Sequence, residues 1–188
     1  MRIIGGNLGG RKLTPPSKMP HTRPTTDIAK EGLFNILQNN LPLKGMKTLD
    51  LFGGTGSISF ELASRGAGQL MIVERDFKMC QFIRKTASSL GISNLRIVQS
   101  DVFKFLSQCQ ESFDFVFAGP PYALQNIDEL AELVVTKQIL NSEGWFVLEH
   151  TPRNHYDQYP LFTTQRHYGT TIFSIFVNKL PNEGNTRG

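Results

Sequence analysis

Unbroken apolar runs alternate along this chain with stretches in which apolar residues recur every third or fourth position. Leu70-Met71-Ile72-Val73, closing on Glu74, is the kind of run that a strand buried on both faces requires. The segment leading into Asp50, the run from Leu95 to Gln99, and residues 113–118 and 144–149 predict further strands. Between them the spacing predicts helices from Ser57, over 77–90, through Phe105 and Leu106, and over 127–137. Ahead of the first strand, Ile28, Leu33, Phe34, Ile36 and Leu37 share one face of a helix ending near Asn39-Asn40, for which Thr26 or Asp27 is a suitable cap. After a polar, proline-bearing loop, residues 161–168 and 170–178 predict a closing hairpin, and 181–188 are expected to fray. Strand and helix thus alternate as in an α/β, doubly wound sheet.

A chain of 188 residues with 39% hydrophobic content can bury one good core. No apolar stretch reaches membrane-spanning length, and the first residues lack the apolar region of a signal peptide. Cys80 and Cys109 stand alone, and His21, His150, His155 and His167 have no ligand spacing, so no metal is expected and the cytoplasm is the expected location.

The distribution of charge changes the picture more than its total of +4. Arg2, Arg11, Lys12, Lys18 and Arg23 occupy the first 24 residues without an acid, while the remaining 15 basic residues face all 16 acidic ones. The excess is confined to an N-terminal arm, residues 1–24. Gly5-Gly6, Gly9-Gly10 and Pro15-Pro16 set turns between its short extended pieces. Such an arm reads as a basic hairpin contacting nucleic-acid phosphates through Arg2, Arg11, Lys12 and Arg23, with Ile3, Ile4 and Leu13 to dock it; a solvated mobile tail is the other reading.

The candidate chemistry lies in Asp50-Leu51-Phe52-Gly53-Gly54-Thr55-Gly56, a buried strand opening into a glycine turn. The Gly-Lys-Ser or Gly-Lys-Thr of a phosphate-cradling loop is absent, and Ser59 stands where a dinucleotide fingerprint would place its third glycine. Asp50 would repel a pyrophosphate but attract the ammonium and sulfonium of S-adenosylmethionine. It could also simply hydrogen-bond the turn. Glu74, 20 residues past the turn, is placed to grip two ribose hydroxyls. Asp101 could accept from an adenine amine, with Val102 and Phe103 lining the ring, or cap the following helix; the two roles are compatible. Further along, Phe117-Ala118-Gly119-Pro120-Pro121-Tyr122 places a rigid aromatic clamp directly after a strand.

Arg2-Ile3-Ile4-Gly5-Gly6, Gly10-Arg11-Lys12-Leu13, Arg23-Pro24-Thr25-Thr26-Asp27, Leu33-Phe34-Asn35, the glycine turn, Pro120-Pro121-Tyr122 and Tyr168-Gly169-Thr170-Thr171 together resemble the RsmD family. These are bacterial methyltransferases acting on the exocyclic amine of one guanine in small-subunit ribosomal RNA. The resemblance covers nearly the whole chain. It implies a class I (Rossmann-like) methyltransferase fold at residues 25–180, with a seven-stranded sheet whose last strand is antiparallel. It implies S-adenosylmethionine as donor and small-subunit (16S) ribosomal RNA or an assembly intermediate as partner; a monomer is expected, although the sequence itself does not fix the oligomeric state. Thr25 and Thr26 would lie over the methionine end of the donor. Pro120, Pro121 and Tyr122 would hold the base.

One position departs from the pattern. Amine methyltransferases of this kind usually carry Asp or Asn immediately before Pro-Pro, accepting from the target amine; here that residue is Gly119. The Pro120 carbonyl could serve instead, Glu149 at the end of the next strand could be recruited, or turnover could be lost, leaving an RNA-binding relative. A DNA amine methyltransferase is a further alternative, although the chain has little room for a target-recognition domain.

Overall fold

The computed structural model describes residues 1–17 and 25–179. Lys18 and Arg23 in the arm and the tail 181–188 lie outside the described residues. Seven strands form one sheet: β1 (Lys47–Leu51), β2 (Gln69–Glu74), β3 (Leu95–Gln99), β4 (Phe113–Ala118), β5 (Leu140–His150), β6 (Phe162–Tyr168) and β7 (Thr171–Val177). Their spatial order is β3-β2-β1-β4-β5-β7-β6, and β7 runs antiparallel to both of its neighbours. The chain order reverses between β1 and β4, which makes their carboxyl ends a topological switch point where ligands of such sheets bind. Leu51 pairs with Val73 on one side and Ala118 on the other, so three strands end level there.

Helices cover both faces. On one, α1 (Asp27–Asn40) and α2 (Ser57–Ser64) pack Leu33, Phe34, Leu37, Ile58 and Leu62 against Phe115, Phe117 and Val147 of the sheet. On the other, α4 (Val102–Gln108) and α5 (Ile127–Thr136) pack Leu106, Leu130 and Val134 against Leu49, Leu51 and Val116. The helix α3 (Phe77–Ser89) contributes Ile83 and Ala87 to a third cluster with Phe60, Ile72 and Ile3 of the arm. No described helix is long and apolar enough to cross a membrane.

Most elements fall where the apolar pattern puts them; the principal exception is β5. It begins at Leu140 rather than 144, because Asn141, Ser142 and Glu143 form an irregularity in the pairing with β4, with Glu143 at a φ of 61°. The polar Asn141 side chain is satisfied there by donating to Asp114 Oδ1 at 2.7 Å. The helix α5 ends at Thr136, and the closing hairpin starts at Phe162 after Leu161 with a φ of 66°.

Residues 1–13 of the arm form a hairpin docked on the domain, which excludes a mobile tail over that stretch. Ile3 N–H donates to Arg11 O at 3.0 Å, Gly10 N–H to Ile3 O at 2.8 Å and Leu13 N–H to Met1 O at 2.9 Å. The hairpin is pinned by Glu61 of α2, fully buried, whose carboxylate accepts from Ile4 N–H and Gly5 N–H at 2.8 Å each and from Arg65 Nη2 at 2.8 Å. Lys30 of α1, also buried, lies with Nζ 3.9 Å from Glu61 Oε2 and donates to Arg2 O at 2.6 Å. Arg2 and Arg11 keep their side chains exposed.

Candidate functional site

The carboxyl ends of β1, β2, β4 and β5, the loops after them and the loop after β3 enclose a cavity of about 390 Å³ at the switch point. This is within the range of small-molecule sites. One wall is the turn after β1. Phe52 takes a left-handed φ of 63°, a conformation that costs a non-glycine residue about 1–3 kcal/mol and recurs at ligand-binding sites. Gly53 N–H donates to Val73 O at 3.0 Å; a Cβ on Gly53 would meet Ile72 Cγ2 at 2.1 Å, so only glycine lets the turn lie against β2. Gly54 follows with a φ of 52°, and its N–H donates to Glu74 Oε2 at 2.8 Å.

The expected acids converge on this cavity. Asp50 is 3% exposed and accepts from Ser59 Oγ at 2.8 Å; burial pushes its carboxyl up to about 7, against the opposing pull of the Ser59 hydrogen bonds. Ser59, at the position a dinucleotide fingerprint gives to its third glycine, is therefore the partner that holds Asp50. Glu74 stands at the end of β2, with Oε1 accepting from Asp76 N–H at 2.7 Å. Asp101 caps α4, with Oδ1 accepting from Phe103 N–H at 2.9 Å and Lys104 N–H at 3.1 Å, and it also lines the cavity with Val102 and Phe103.

The opposite wall is the segment after β4. Gly119 N–H donates to Leu51 O at 3.3 Å and Leu124 N–H to Pro121 O at 2.9 Å, which folds Pro120-Pro121-Tyr122 over the opening. Tyr122 is 42% exposed, a large ring presented at the mouth. Thr25 and Glu149 complete this side, with Thr25 Oγ1 donating to Glu149 Oε2 at 2.6 Å.

Two expected cofactor residues are not brought into the cavity. Thr26 caps α1, its Oγ1 accepting from Ala29 N–H at 3.2 Å, so of the threonine pair Thr25 alone lines the site. Gly56 lies behind the turn at the start of α2 with a φ of 73°, where its N–H donates to Gly53 O at 2.7 Å. It shapes the wall without forming it. Arg2, Arg11 and Lys12 lie on the docked hairpin and do not line the cavity, while Arg23 is outside the described residues. Arg75 and Asp76 are cavity-lining residues that the sequence did not single out. Lys30 is another omission, although a signal existed: it falls on the buried stripe of α1 beside Leu33, Phe34 and Leu37, where a charge needs a partner.

The charge of the lining is decisive for ligand chemistry. Among the described residues, Asp50, Glu74, Asp76, Asp101 and Glu149 face a single basic residue, Arg75. Such a wall suits a cationic nucleoside and opposes a pyrophosphate.

The family described as "Conserved hypothetical protein 95" matches residues 1–177. Ribosomal RNA small subunit methyltransferase D of Escherichia coli is 35% identical over 149 residues, covering 79% of this chain and 71% of that protein. YlbH of Bacillus subtilis, named as a candidate rRNA methyltransferase, is 33% identical over 154 residues, covering 80% of this chain and 82% of that one. The solved structure of Escherichia coli yhhF, described as a candidate methyltransferase, superposes with a TM-score of 0.84 at 28% identity, over 96% of this chain and 99% of that one. With the seven-stranded sheet, the placement of the cavity and a match running from the arm to β7, the chain belongs to this family, the RsmD family of class I methyltransferases.

Proposed function

We propose that the protein transfers a methyl group from S-adenosylmethionine to the exocyclic amine, N2, of a guanine in small-subunit (16S) ribosomal RNA. The observation that carries this reading is one cavity with two unlike walls: the acids Asp50, Glu74 and Asp101 at the ends of β1, β2 and β3, the first two buried and the third exposed, and the Gly119-Pro120-Pro121-Tyr122 segment facing them. The acidic wall fits the donor, and the names of the curated relatives support ribosomal RNA as the acceptor.

When bound, S-adenosylmethionine supplies an electrophilic methyl group on a sulfonium. Asp50 and the turn at Gly53-Gly54 would hold its amino-acid portion, Glu74 the ribose hydroxyls, and Asp101, Val102 and Phe103 the adenine. Tyr122 offers a face on which a base splayed out of the RNA can stack, and Pro120-Pro121 fixes that ring against the opening. A guanine amine is a poor nucleophile, because its lone pair is delocalised into the ring. Catalysis here is therefore positioning plus hydrogen bonding to the amine. Arg2, Arg11 and Lys12, joined by Arg23, would contact phosphates of the same RNA and register it against the mouth.

Incubation with methyl-labelled donor and, separately, naked ribosomal RNA, assembled small subunits, duplex DNA and free nucleosides tests the reading. Label is expected in RNA or subunits alone. Label in DNA or free nucleosides with none in RNA would overturn it, as would donor binding without transfer to any acceptor.

A further inference from the structure

The cavity's acids divide across the switch point. Asp50, Glu74, Asp76 and Asp101 stand at or just beyond the ends of β1, β2 and β3, the half assigned to the donor. Among the described residues, Glu149 is the acid on the other half, on β5, beside the segment that clamps the base. Ala118 and Leu148 are register partners, so Gly119 and Glu149, one step further along two parallel strands, are neighbours.

The space beside Gly119 shows what this adjacency means. Gly119 does not adopt a left-handed backbone, so the conformation itself would admit a side chain. A Cβ built there would lie 3.1 Å from Phe117 Cε1 and 3.6 Å from Glu149 Oε2. A side chain at 119 would thus press on the Phe117 ring and project into contact with the Glu149 carboxylate. That carboxylate is 8% exposed and accepts from Thr25 Oγ1 at 2.6 Å, a short charge-assisted bond that fixes its orientation. A carboxylate offers about four lone-pair sites, more than the Thr25 hydroxyl occupies.

We propose that Glu149 is a catalytic residue, accepting a hydrogen bond from the target amine in place of a side chain at 119, and that Thr25 is its positioning residue. The inference rests on the methyl-transfer reading. As the nitrogen lone pair forms the new N–C bond, the C–S bond of the sulfonium donor breaks with its electron pair retained on sulfur. Positive charge then develops on the nitrogen, opposite the Glu149 carboxylate. The surplus N–H proton passes to that carboxylate and on to solvent, leaving a neutral methylated amine. A second carboxylate at 119 would crowd Phe117 and repel Glu149, so glycine there is the complement of Glu149 and not a lost function.

The test is single-turnover transfer from labelled S-adenosylmethionine to small-subunit ribosomal RNA, with donor affinity measured by calorimetry on the same preparations. Glu149→Ala is expected to slow transfer about a hundredfold, the usual scale for a lost transition-state hydrogen bond, with donor affinity within about twofold of the parent. Glu149→Gln, close to the parent in shape and keeping an acceptor oxygen without the charge, should fall between them. Adding Gly119→Asn to Glu149→Ala should restore at least about a tenfold part of the loss, since the alanine vacates the space toward which the asparagine projects. Thr25→Ser, which keeps the donor, should transfer faster than Thr25→Val. A Glu149→Ala rate within about threefold of the parent would overturn the proposal, as would loss of donor binding in both Glu149 variants, which would mark a structural role. Failure of Gly119→Asn to restore any rate in a folded, donor-binding double variant would also count against it. A parent that binds donor yet labels no RNA would instead overturn the methyl-transfer reading itself.

Discussion

Replacing Asp50 with asparagine should stabilise the donor-free protein at pH 8 while weakening its hold on the donor. Burial raises the Asp50 carboxyl from 3.8 to about 7, so the folded protein binds a proton there more tightly than the unfolded chain does. For an acid shifted upward, the stabilising form is the neutral one: its contribution is complete below about pH 4 and is lost progressively as pH rises to about 7. With about 1.4 kcal/mol for each tenfold difference in proton affinity, the folded state forfeits about 4 kcal/mol across that window. Asparagine keeps an oxygen for the Ser59 hydroxyl, which donates at 2.8 Å, but never carries the charge. Thermal melts of donor-free parent and Asp50→Asn should therefore converge near pH 4 and separate at pH 8, with the variant melting about 8–16 °C higher, taking about 2–4 °C per kcal/mol for a protein of this size. In the parent, the donor's positive charge restores the carboxylate, so binding releases a proton and affinity climbs up to about tenfold per pH unit below 7. In the variant that dependence should flatten and affinity at pH 8 should fall. Equal melting temperatures at pH 8, or a donor affinity that ignores both pH and the substitution, would refute the assignment of Asp50 as a buried anion placed for a cation.

Glu74→Ala should cost donor affinity about 1.5–3 kcal/mol by calorimetry, since the carboxylate is the proposed ribose ligand and also holds Gly54 N–H; unchanged affinity would remove it from the site. The triple variant Arg2→Ala, Arg11→Ala, Lys12→Ala should weaken binding to ribosomal RNA and lower the slope of log affinity against log salt by about 2, leaving donor affinity intact; an unaltered slope would mean the arm does not touch phosphates. Glu61→Gln should cost about 3–5 kcal/mol in urea unfolding, because Lys30 and Arg65 lose a buried counter-charge. It should also strip hydrogen-exchange protection from the Ile3 and Gly10 amides of the hairpin, and a loss under about 1 kcal/mol with the hairpin still protected would contradict its role as the arm's anchor.

The parts of the fold legible in the sequence are those fixed by local pattern. Apolar runs bounded by acids place β1, β2 and β3 and the acids Asp50, Glu74 and Asp101 at their ends, because in a parallel sheet those ends face one crevice. The basic arm is legible as a hairpin from its glycine turns, yet its docking is not: Glu61 receives Ile4 and Gly5 across separations of 57 and 56 residues, and in sequence it is one acid on an amphipathic helix. The Thr25–Glu149 bond spans 124 residues and leaves no mark in any local window. Thr26 misled because two demands met on one residue. The helix cap took its hydroxyl, as capping chemistry at Thr26-Asp27 already allowed. The early start of β5 was hidden by its polarity, since Asn141 is satisfied there by distant partners, donating to Asp114 and accepting from Ser112 and Asn178.

The central claim is chemical: a methyl group placed on the N2 amine of a guanine in small-subunit RNA. Its most direct measurement is mass spectrometry of nucleosides and nuclease fragments from small-subunit RNA reacted with isotopically labelled S-adenosylmethionine. The account predicts label in 2-methylguanosine, confined to one fragment and absent when Tyr122→Ala replaces the parent. Label on a ribose oxygen, on another base, or scattered over many fragments would contradict it.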